Sequence, residues 1–350
     1  MWPPEMRIAT YNVEWFSGLF DKQSRLLHDQ EWSRRYKVRR QDQADAIAAV
    51  IRRVDPDIML IVEAPNTGGH QDTITALNGF AKHYNLRQSA VAMGFANDTH
   101  QELAIIYDPD IVTITHDPQG EISDGATPRN APRFDSKFLY DVNVDGKPEI
   151  FSFSKPPAEM LVTNTATNDV FRLIGVHTKS KAPHGAENAQ DALRIMVENR
   201  RKQLAQCIWI RQRVEDILAT NTPLIVLGDF NDGPGVNGYE TLFARSGVEI
   251  VLGDKSDAPR YLVEPHAQIV LNPRQAWALS TARFYIGKYK RYMNALLDYI
   301  MLSQDLYHAH DASWRIWHPF DDPQCFKDKE MQQALLSASD HFPVSVDLHF

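Results

Sequence analysis

An aspartate and an asparagine two residues apart give the clearest indication of chemistry in this sequence. Both follow residues 224–227, an apolar run that predicts a short buried strand between Pro223 and a glycine-proline turn. Asp229 and Asn231 stand at the carboxyl end of that strand, where an extended backbone points both side chains to the same side. One group could hold a metal ion or a water molecule, and the other a substrate oxygen. Taken alone, the pair is more typical of a turn.

Polar residues stand at or near the ends of other predicted strands in the same way. These residues, each with its predicted strand, are Asn12 (7–12), Glu63 (58–62), His177 (171–176), Asp229 and Asn231 (224–227), Asp298 (296–302), and Asp340 with His341 (344–350). In open α/β sheets, ligand sites lie beyond the carboxyl ends of the strands. We therefore expect these side chains to meet in one site.

The chemical types in this set favour a hard divalent cation. The set contains carboxylates, amides and imidazoles but no thiolate, which favours Mg²⁺ or Mn²⁺ over a structural zinc ion. The sequence has neither the Gly-x-x-x-x-Gly-Lys-Ser/Thr loop of nucleotide hydrolases nor the Gly-x-Ser-x-Gly elbow of serine hydrolases. The set suits metal-assisted hydrolysis of a phosphate ester. A cation would offset phosphate charge, a carboxylate would position or deprotonate water, and amides and imidazoles would bind transition-state oxygens.

Composition limits the classes of protein and partner. The 350 residues are 43% hydrophobic, which allows a large core in one large or two ordinary domains. The net charge of −8 argues against holding a polyanion by counterion release alone, so a nucleic acid would need a local patch or a metal-bridged phosphate. The two cysteines match no zinc or disulfide pattern. Since no signal peptide or membrane-spanning run is seen, we expect a cytoplasmic protein; the sequence does not predict its oligomeric state.

Periodic segments predict the elements that must position these residues. Helices are expected at 37–54, 72–84 and 186–219, and further strands at 103–107 and 111–115. A hairpin is expected from 134–144 and 147–153, which Asp145 and Gly146 would join. We interpret residues 255–293 as an irregular insertion in a single domain spanning 1–350, and residues 314–329 as a loop.

Two basic stretches contain aromatic residues. In residues 283–292, basic and aromatic side chains alternate, as in surfaces that follow a phosphate backbone, although a solvated strand pair would have the same pattern. Residues 32–40 are better explained as the exposed first turns of the helix that follows. Lys179 and Lys181, after His177, are hypothesised to help hold an anionic substrate.

The ordered set of motifs resembles the endonuclease/exonuclease/phosphatase superfamily, which includes DNase I and the AP endonucleases. The segments that carry the resemblance are Tyr11-Asn12-Val13, Ile61-Val62-Glu63, Gly175-Val176-His177, Gly228-Asp229-Phe230-Asn231, Leu297-Asp298-Tyr299-Ile300 and Ser339-Asp340-His341-Phe342-Pro343. The resemblance implies an α/β fold of the DNase I type. That fold is a four-layer α/β/β/α sandwich, in which two mixed β-sheets pack face to face and helices flank them.

The resemblance also implies a metal site and a water-activating group. Glu63 would be the main metal ligand, with Asn12 beside it and Asp340 completing or bridging the shell. Asp229 would orient or deprotonate the attacking water, or hold a second metal. The implied cofactor is Mg²⁺ or Mn²⁺.

The remaining implied roles concern the phosphate group. Asn231 and His177 would bind its non-bridging oxygens, and His341 would contact the scissile phosphate. Asp298 would keep His341 in its tautomer and charge state. Weaker candidates are Glu102 as the carboxylate partner of His177, and Arg133 and Lys179 as contacts to the substrate.

These roles predict a metal-dependent phosphodiester hydrolase, and first of all a nuclease that cleaves DNA or RNA by in-line attack of water. A hydrolase of small phosphoesters or phospholipid head groups is the alternative. A catalytically inactive binding module is a further alternative, against which the presence of every acidic residue and the final histidine argues. Val62 and Leu296 replace a glutamine and a basic residue common in the family, which weakens the transfer of any particular substrate.

Overall fold

Strands and helices alternate along the computed structural model, which describes residues 5–68, 71–97, 99, 101–125, 130–233, 245–271, 279–287 and 290–349. The strands are Met6–Asn12 (β1), Ile58–Ala64 (β2), Ala90–Met93 (β3), Glu102–Tyr107 (β4), Val112–His116 (β5), Phe138–Tyr140 (β6), Glu149–Phe151 (β7), Ala158–Asn164 (β8), Val170–His177 (β9), Leu224–Asp229 (β10), Ala282–Ile286 (β11), Arg291–Ala295 (β12), Asp298–Leu302 (β13), Ser313–Ile316 (β14) and Val344–Leu348 (β15). The helices are Arg40–Val54 (α1), Thr73–Tyr84 (α2), Ala189–Leu218 (α3), Gly247–Leu252 (α4), Pro265–Leu271 (α5), Gln304–Ala309 (α6), Pro323–Lys327 (α7) and Lys329–Ala338 (α8). None of these helices combines the length and apolar character needed to cross a bilayer.

Two mixed sheets contain most of the strands. The first has the order β14-β15-β1-β2-β4-β3, and the second has the order β13-β10-β9-β8-β5. Each sheet contains one parallel pair, β1 with β2 and β9 with β10, among the pairings of the described residues. Helices α1 and α3 connect these parallel pairs, as a parallel connection requires. The carboxyl ends of the paired strands therefore lie at one edge of each sheet.

Side-chain alternation builds the four layers. In β10, Ile225 and Leu227 join residues of the first sheet in one buried cluster, whereas Leu224 and Val226 join a cluster with α3 and α4. In β1, Ile8 contributes to the same intersheet cluster, and its neighbours on the other face pack against α1, α2 and α8. Because both sheets bury both faces, their strands read as continuous apolar runs. The order of layers is helix, sheet, sheet, helix.

The three long helices and most core strands lie where the sequence predicts them, within a few residues. The predicted hairpin is present but short, because β6 and β7 pair over only Phe138↔Phe151 to Tyr140↔Glu149. Strands β3 and β8 were not predicted. Neither segment alternates regularly between polar and apolar residues, and both form strands by pairing with β4 and β9.

Three segments differ from the prediction. Residues 314–329 are not a loop, since they contain most of β14 and all of α7. Part of 255–293 is regular, with α5 and the hairpin of β11 and β12, whereas residues 272–278 and 288–289 lie outside the described residues. Residues 32–39 are not helical, because α1 begins at Arg40 and the preceding Arg39 has an extended backbone. The prediction that these are first helical turns is therefore wrong.

Candidate active site

The second sheet aligns three of the predicted site residues by register. Asp229 at the end of β10 pairs with His177 at the end of β9 and with Asp298 at the start of β13. Residues opposite one another on neighbouring strands point to the same face of a sheet. Ile225 and Leu227 point between the sheets, so Asp229, two residues further on, points there too. The row His177–Asp229–Asp298 therefore closes the intersheet core at its open edge.

A glycine is required immediately before this row. Gly228 has a φ of +135°, a backbone angle that residues with a Cβ atom rarely adopt. A Cβ at this position would lie 2.1 Å from the carbonyl oxygen of Val176 on β9. Only glycine lets β10 approach β9 this closely with Asp229 in register with His177.

Two polar residues of the first sheet, Asn12 and Glu63, lie at the same edge. Asn12 ends β1 and pairs with Val62 on the parallel strand β2, and Glu63 follows Val62. A β-bulge lies between Val62 and Ala64, where Glu63 has a φ of +62°. Bulges re-aim side chains, and the left-handed backbone of Glu63 turns its carboxylate away from the regular direction of β2. The Trp15 N–H donates to Glu63 Oε2 at 3.3 Å and holds the carboxylate in the cavity.

Asp298 and His341 form a buried pair. His341 Nδ1 lies 2.8 Å from Asp298 Oδ2, and the Thr281 hydroxyl donates to the same oxygen at 2.7 Å. Burial lowers the pKa of His341, but the charge and hydrogen bond of Asp298, with smaller effects of Asp229 and Asp340, outweigh burial and raise that pKa well above its usual value. The ring is therefore an imidazolium, with its Nδ1 proton directed at Asp298.

Asp229 accepts hydrogen bonds from three amide donors. Asn12 Nδ2 donates to Oδ2 at 3.0 Å, the Asn231 backbone N–H donates to Oδ1 at 2.7 Å, and Asn231 Nδ2 lies 3.3 Å from Oδ2. Asn231 Nδ2 also donates to the carbonyl of Thr178 at 3.1 Å. Burial, and then the charge of Asp298, raise the pKa of Asp229 to about 7. The described contacts of Asn231 are thus those of a residue that positions Asp229, and its phosphate contact stays a prediction.

His177 contacts a lysine rather than the predicted carboxylate. Lys155 Nζ lies 3.2 Å from His177 Nδ1, and it also donates to Gln101. Burial, and then the charge of Lys155, lower the pKa of His177 well below its usual value. The ring is therefore neutral, with Nδ1 as the acceptor and Nε2 carrying the proton, 3.7 Å from Asp229 Oδ2.

The described contacts of Glu102 do not include its predicted pairing with His177, which stays a prediction. Glu102 begins β4 and pairs with Ala64 in the first sheet. Its carboxylate accepts hydrogen bonds from the Thr67 N–H at 3.1 Å and from Asn97 Nδ2 at 2.5 Å. Glu102 therefore holds the loop that follows Glu63.

The predicted substrate contact of Arg133 is also not supported. Its guanidinium makes two hydrogen bonds of 2.6 Å to Asp135 and lies over the ring of Phe95. Arg133 does not line the cavity that contains the other site residues. Lys155 supplies the cation there instead.

The site residues line a cavity of about 870 Å³ between the two sheets. The predicted residues that line it are Asn12, Glu63, His177, Lys179, Asp229, Asn231, Asp340 and His341. Asp298 lies behind His341 and reaches the cavity through that ring. Lys181 also lines it, but its ammonium group is bound to the buried Asp232 at 2.5 Å.

The sequence did not indicate a third carboxylate, Glu14, which lines the cavity near Glu63 and Asp340. The part of the cavity formed by these three carboxylates is here called the acidic side. Burial, and then the charge of Asp340, raise the pKa of Glu14 to about 7, although the Arg35 guanidinium donates to it. Burial likewise raises the pKa of Glu63. These carboxylates are thus poorly compensated, and a bound cation would stabilise their charged forms.

The donor set of this acidic side fits a hard divalent cation. Oδ1 of Asn12 is buried and has no hydrogen-bond partner among the described residues, while its Nδ2 is fixed on Asp229. An amide oxygen left free beside Glu63 and Asp340 is a ligand set that Mg²⁺ or Mn²⁺ prefers. A second group of potential ligands, in Asp229, Asp298 and His341, has its atoms within 4.8 Å of one another. In that group the proton on His341 Nδ1 is directed at Asp298, so its imidazolium is a hydrogen-bond donor rather than a ligand.

A buried glutamine on α3 holds the loops that carry Asn231 and Lys179. Gln203 Nε2 donates to the carbonyls of Lys179 at 2.9 Å, Phe230 at 3.2 Å and Asn231 at 3.0 Å. Nearby, Arg200 donates to Asp232 at 2.5 Å. Helix α3 therefore fixes the two loops relative to each other, which the apolar stripe of the helix did not reveal.

The sequence and the fold resemble those of known proteins. The model of the Endonuclease/Exonuclease/phosphatase family matches residues 9–341. The structure of D. rerio TDP2 complexed with a single-strand DNA product is similar at 10% identity and a TM-score of 0.51, covering 99% of this chain and 100% of that chain. TDP2 from C. elegans is similar at 13% identity and a TM-score of 0.50, covering 99% and 75%. A comparison with curated proteins gives no significant match.

The two structural similarities support the fold, since both show the same sandwich at low identity. The family match runs from Ala9 in β1 to His341, so it includes every described strand from β2 to β14. The chain belongs to the endonuclease/exonuclease/phosphatase family.

Proposed function

We propose that this protein is a divalent-metal-dependent phosphodiester hydrolase that cleaves DNA or RNA. One observation carries the proposal. The buried Asp298–His341 pair lies next to Asp229 at a cavity that also contains a set of oxygen donors suited to Mg²⁺ or Mn²⁺. A bound cation at Asn12, Glu63 and Asp340 would offset the phosphate charge.

In this proposal, each residue of the cavity has a separate role in the reaction of the phosphate. Asp229, with its raised pKa, accepts a proton from the attacking water or orients it for in-line displacement. The imidazolium of His341 and the neutral Nε2–H of His177 donate to phosphate oxygens as charge develops on them. Lys155 supplies a positive charge beside His177; burial lowers the pKa of its ammonium group, and the charges of Glu63 and Asp229 oppose that shift.

Nucleic acid is the substrate class that the surroundings of the cavity favour. The hairpin of β11 and β12 forms part of its wall through Phe284 and Met293, and Tyr285 and Tyr292 on the other face of that hairpin are exposed. Aromatic surfaces beside a phosphate site suit bases better than a small ester. The D. rerio protein of this fold was solved with a single-strand DNA product, which is consistent with this choice.

Removal of divalent metal is expected to lower turnover by more than about 100-fold, since the acidic side would then repel the substrate phosphate. Purified protein would be assayed on single-stranded and plasmid DNA, a bis-aryl phosphodiester and an aryl phosphomonoester, with Mg²⁺, Mn²⁺ or EDTA. Cleavage of DNA that requires metal supports the proposal. Metal-dependent turnover of the small esters alone would replace nucleic acid with a small phosphoester, and equal rates in EDTA would contradict metal dependence.

Replacing Lys155 with methionine is expected to lower kcat/KM by about 10- to 100-fold, because it removes a charged donor beside the phosphate position. Lys155→Arg should retain a larger part of the activity, and Lys179→Met, at the rim of the same cavity, should have the smaller effect. The measurement is steady-state kinetics on the bis-aryl phosphodiester at saturating metal. An equal loss in Lys155→Met and Lys179→Met would contradict a specific role of Lys155.

A further inference from the structure

The loop of residues 32–39, here called the aromatic loop, presents rings with cations on their faces. Trp32 is 54% exposed and Tyr36 is 85% exposed. The guanidinium carbon of Arg39 lies 3.3 Å from the centre of the Trp32 ring, and Lys37 Nζ lies 5.1 Å from the centre of the Tyr36 ring. Core packing does not account for rings this exposed, so the loop is a candidate interaction surface.

The aromatic loop has a defined conformation. The Ser33 N–H donates to the Val38 carbonyl at 2.9 Å, and the Arg35 N–H donates to the Ser33 hydroxyl at 3.1 Å. Lys37 takes a left-handed backbone, with a φ of +60°, which turns the chain at the tip. A ligand would therefore meet rings already in place, and little ordering entropy would oppose binding.

Two contacts join the aromatic loop to the cavity. The Arg35 guanidinium donates to the carboxylate of Glu14, and the guanidinium carbon of Arg34 lies 5.6 Å from the centre of the Trp15 ring. Both Glu14 and Trp15 line the cavity. A continuous series of aromatic and cationic groups thus leads from the cavity wall at Trp15 to the exposed tip at Tyr36.

Most of the positive charge of the aromatic loop has no ion-pair partner among the described residues. Among the residues that the structure describes, no carboxylate forms an ion pair with Arg34, Lys37 or Arg39, whereas Arg35 and Arg40 are paired with Glu14 and Asp29. In a chain with a net charge of −8, this is a local concentration of uncompensated positive charge. Such a surface complements a polyanion.

We propose that the aromatic loop, together with Trp15, binds one part of a single-stranded nucleic acid while a nearby phosphodiester of the same strand lies in the cavity. This inference rests on the proposed function. Exposed rings can stack only on bases that are unpaired, and the adjacent cations can follow the backbone. A lipid surface is the less suitable occupant, because the only aliphatic side chain of the loop, Val38, is half-buried.

The test is binding of a short fluorescein-labelled single-stranded oligonucleotide to the full chain in EDTA, followed by anisotropy. The double variant Trp32→Ala/Tyr36→Ala is expected to bind roughly 5- to 100-fold more weakly. Lys37→Ala/Arg39→Ala should reduce the slope of log K against log salt by about 0.7 for each phosphate that the two cations neutralise in the wild type. The matched control is Phe326→Ala/Lys329→Ala, since that pair is also an exposed ring with a lysine over it, but it does not line the cavity.

The outcomes separate this inference from the proposed function. Weaker binding in the loop variants and wild-type binding in the control support it, as does a fall in the ratio of oligonucleotide to bis-aryl phosphodiester turnover. If the wild type cleaves nucleic acid and the loop variants bind the oligonucleotide as tightly as the wild type does, this inference is overturned and the proposed function stands. If the wild type hydrolyses only small esters, both nucleic-acid proposals fail. Binding to vesicles of phosphatidylcholine and phosphatidylserine, but not to the oligonucleotide, would assign the loop to a lipid surface and overturn the inference.

Discussion

Replacing His341 with asparagine is expected to lower phosphodiester turnover by about 10³-fold while the protein stays folded. Asparagine can place an amide N–H near the position of Nδ1 and so keep a donor for Asp298, which otherwise would be a buried carboxylate short of one partner. It lacks the second ring nitrogen and the positive charge. The loss would therefore report on the side of the ring that faces the cavity. Turnover at saturating metal and the melting temperature are the two measurements.

Asp298 provides the internal control for that variant. Asp298→Asn is expected to reduce turnover by a similar factor, because a neutral amide no longer holds the proton on His341 that its carboxylate stabilises. If the two residues act as one unit, the double variant should be about as slow as His341→Asn alone, as groups that act together are not additive. Strictly multiplicative losses, or near-normal turnover in His341→Asn, would contradict the assignment.

The polarity pattern at strand ends explains how much of the site could be predicted. Asn12, His177 and Asp229 end the strands of the two parallel pairs, so the rule that ligands gather at carboxyl ends places them together. The period of two then directs them between the sheets. The order of motifs in the family supplied Asp298 and His341, whose contact a pattern alone does not give.

Antiparallel strands explain most of what the sequence did not reveal. They enter the site with their amino ends, so Asp298 begins β13, and Lys155 precedes β8. Because β8 was not recognised as a strand, Lys155 had no predicted place, and the cation was assigned to Arg133 instead. Glu102 likewise enters with the amino end of an antiparallel strand, β4, but in the other sheet. Sequence spacing does not tell which sheet receives a strand.

Loops whose conformation depends on tertiary contacts could not be predicted from the sequence either. Glu14 reaches the cavity because Ser339 joins the two chain ends: its hydroxyl donates to the Asn12 carbonyl at 2.7 Å and accepts the Glu14 N–H at 3.1 Å. The aromatic loop depends likewise on Arg35, which reaches both Glu14 and the Leu336 carbonyl. Contacts over more than 300 positions leave no local signal in the sequence.

Glu63→Gln and Asp229→Asn are expected to fail in different ways, which makes them a useful pair. Glu63 belongs to the acidic side that fits a cation, so its amide variant should require about 10- to 100-fold more metal and regain turnover at saturating concentrations. Asp229 accepts donors on both of its oxygens, and no amount of metal should restore its amide variant. A metal titration of turnover separates the two.

Asp229→Asn is expected to lower turnover by about 10³-fold at any metal concentration. Asn12 Nδ2, Asn231 Nδ2 and the Asn231 N–H all donate to Asp229, and only a carboxylate can accept from all of them. An amide would turn a donor toward one of these groups, so the variant loses a proton acceptor and also displaces Asn12 or Asn231. Glu159→Gln is the matched control, since Glu159 is equally buried, its pKa is also raised to about 7, and it lies outside the cavity. That control should change the melting temperature but not turnover, and an Asp229→Asn enzyme that metal restores would show that Asp229 acts only as a metal ligand.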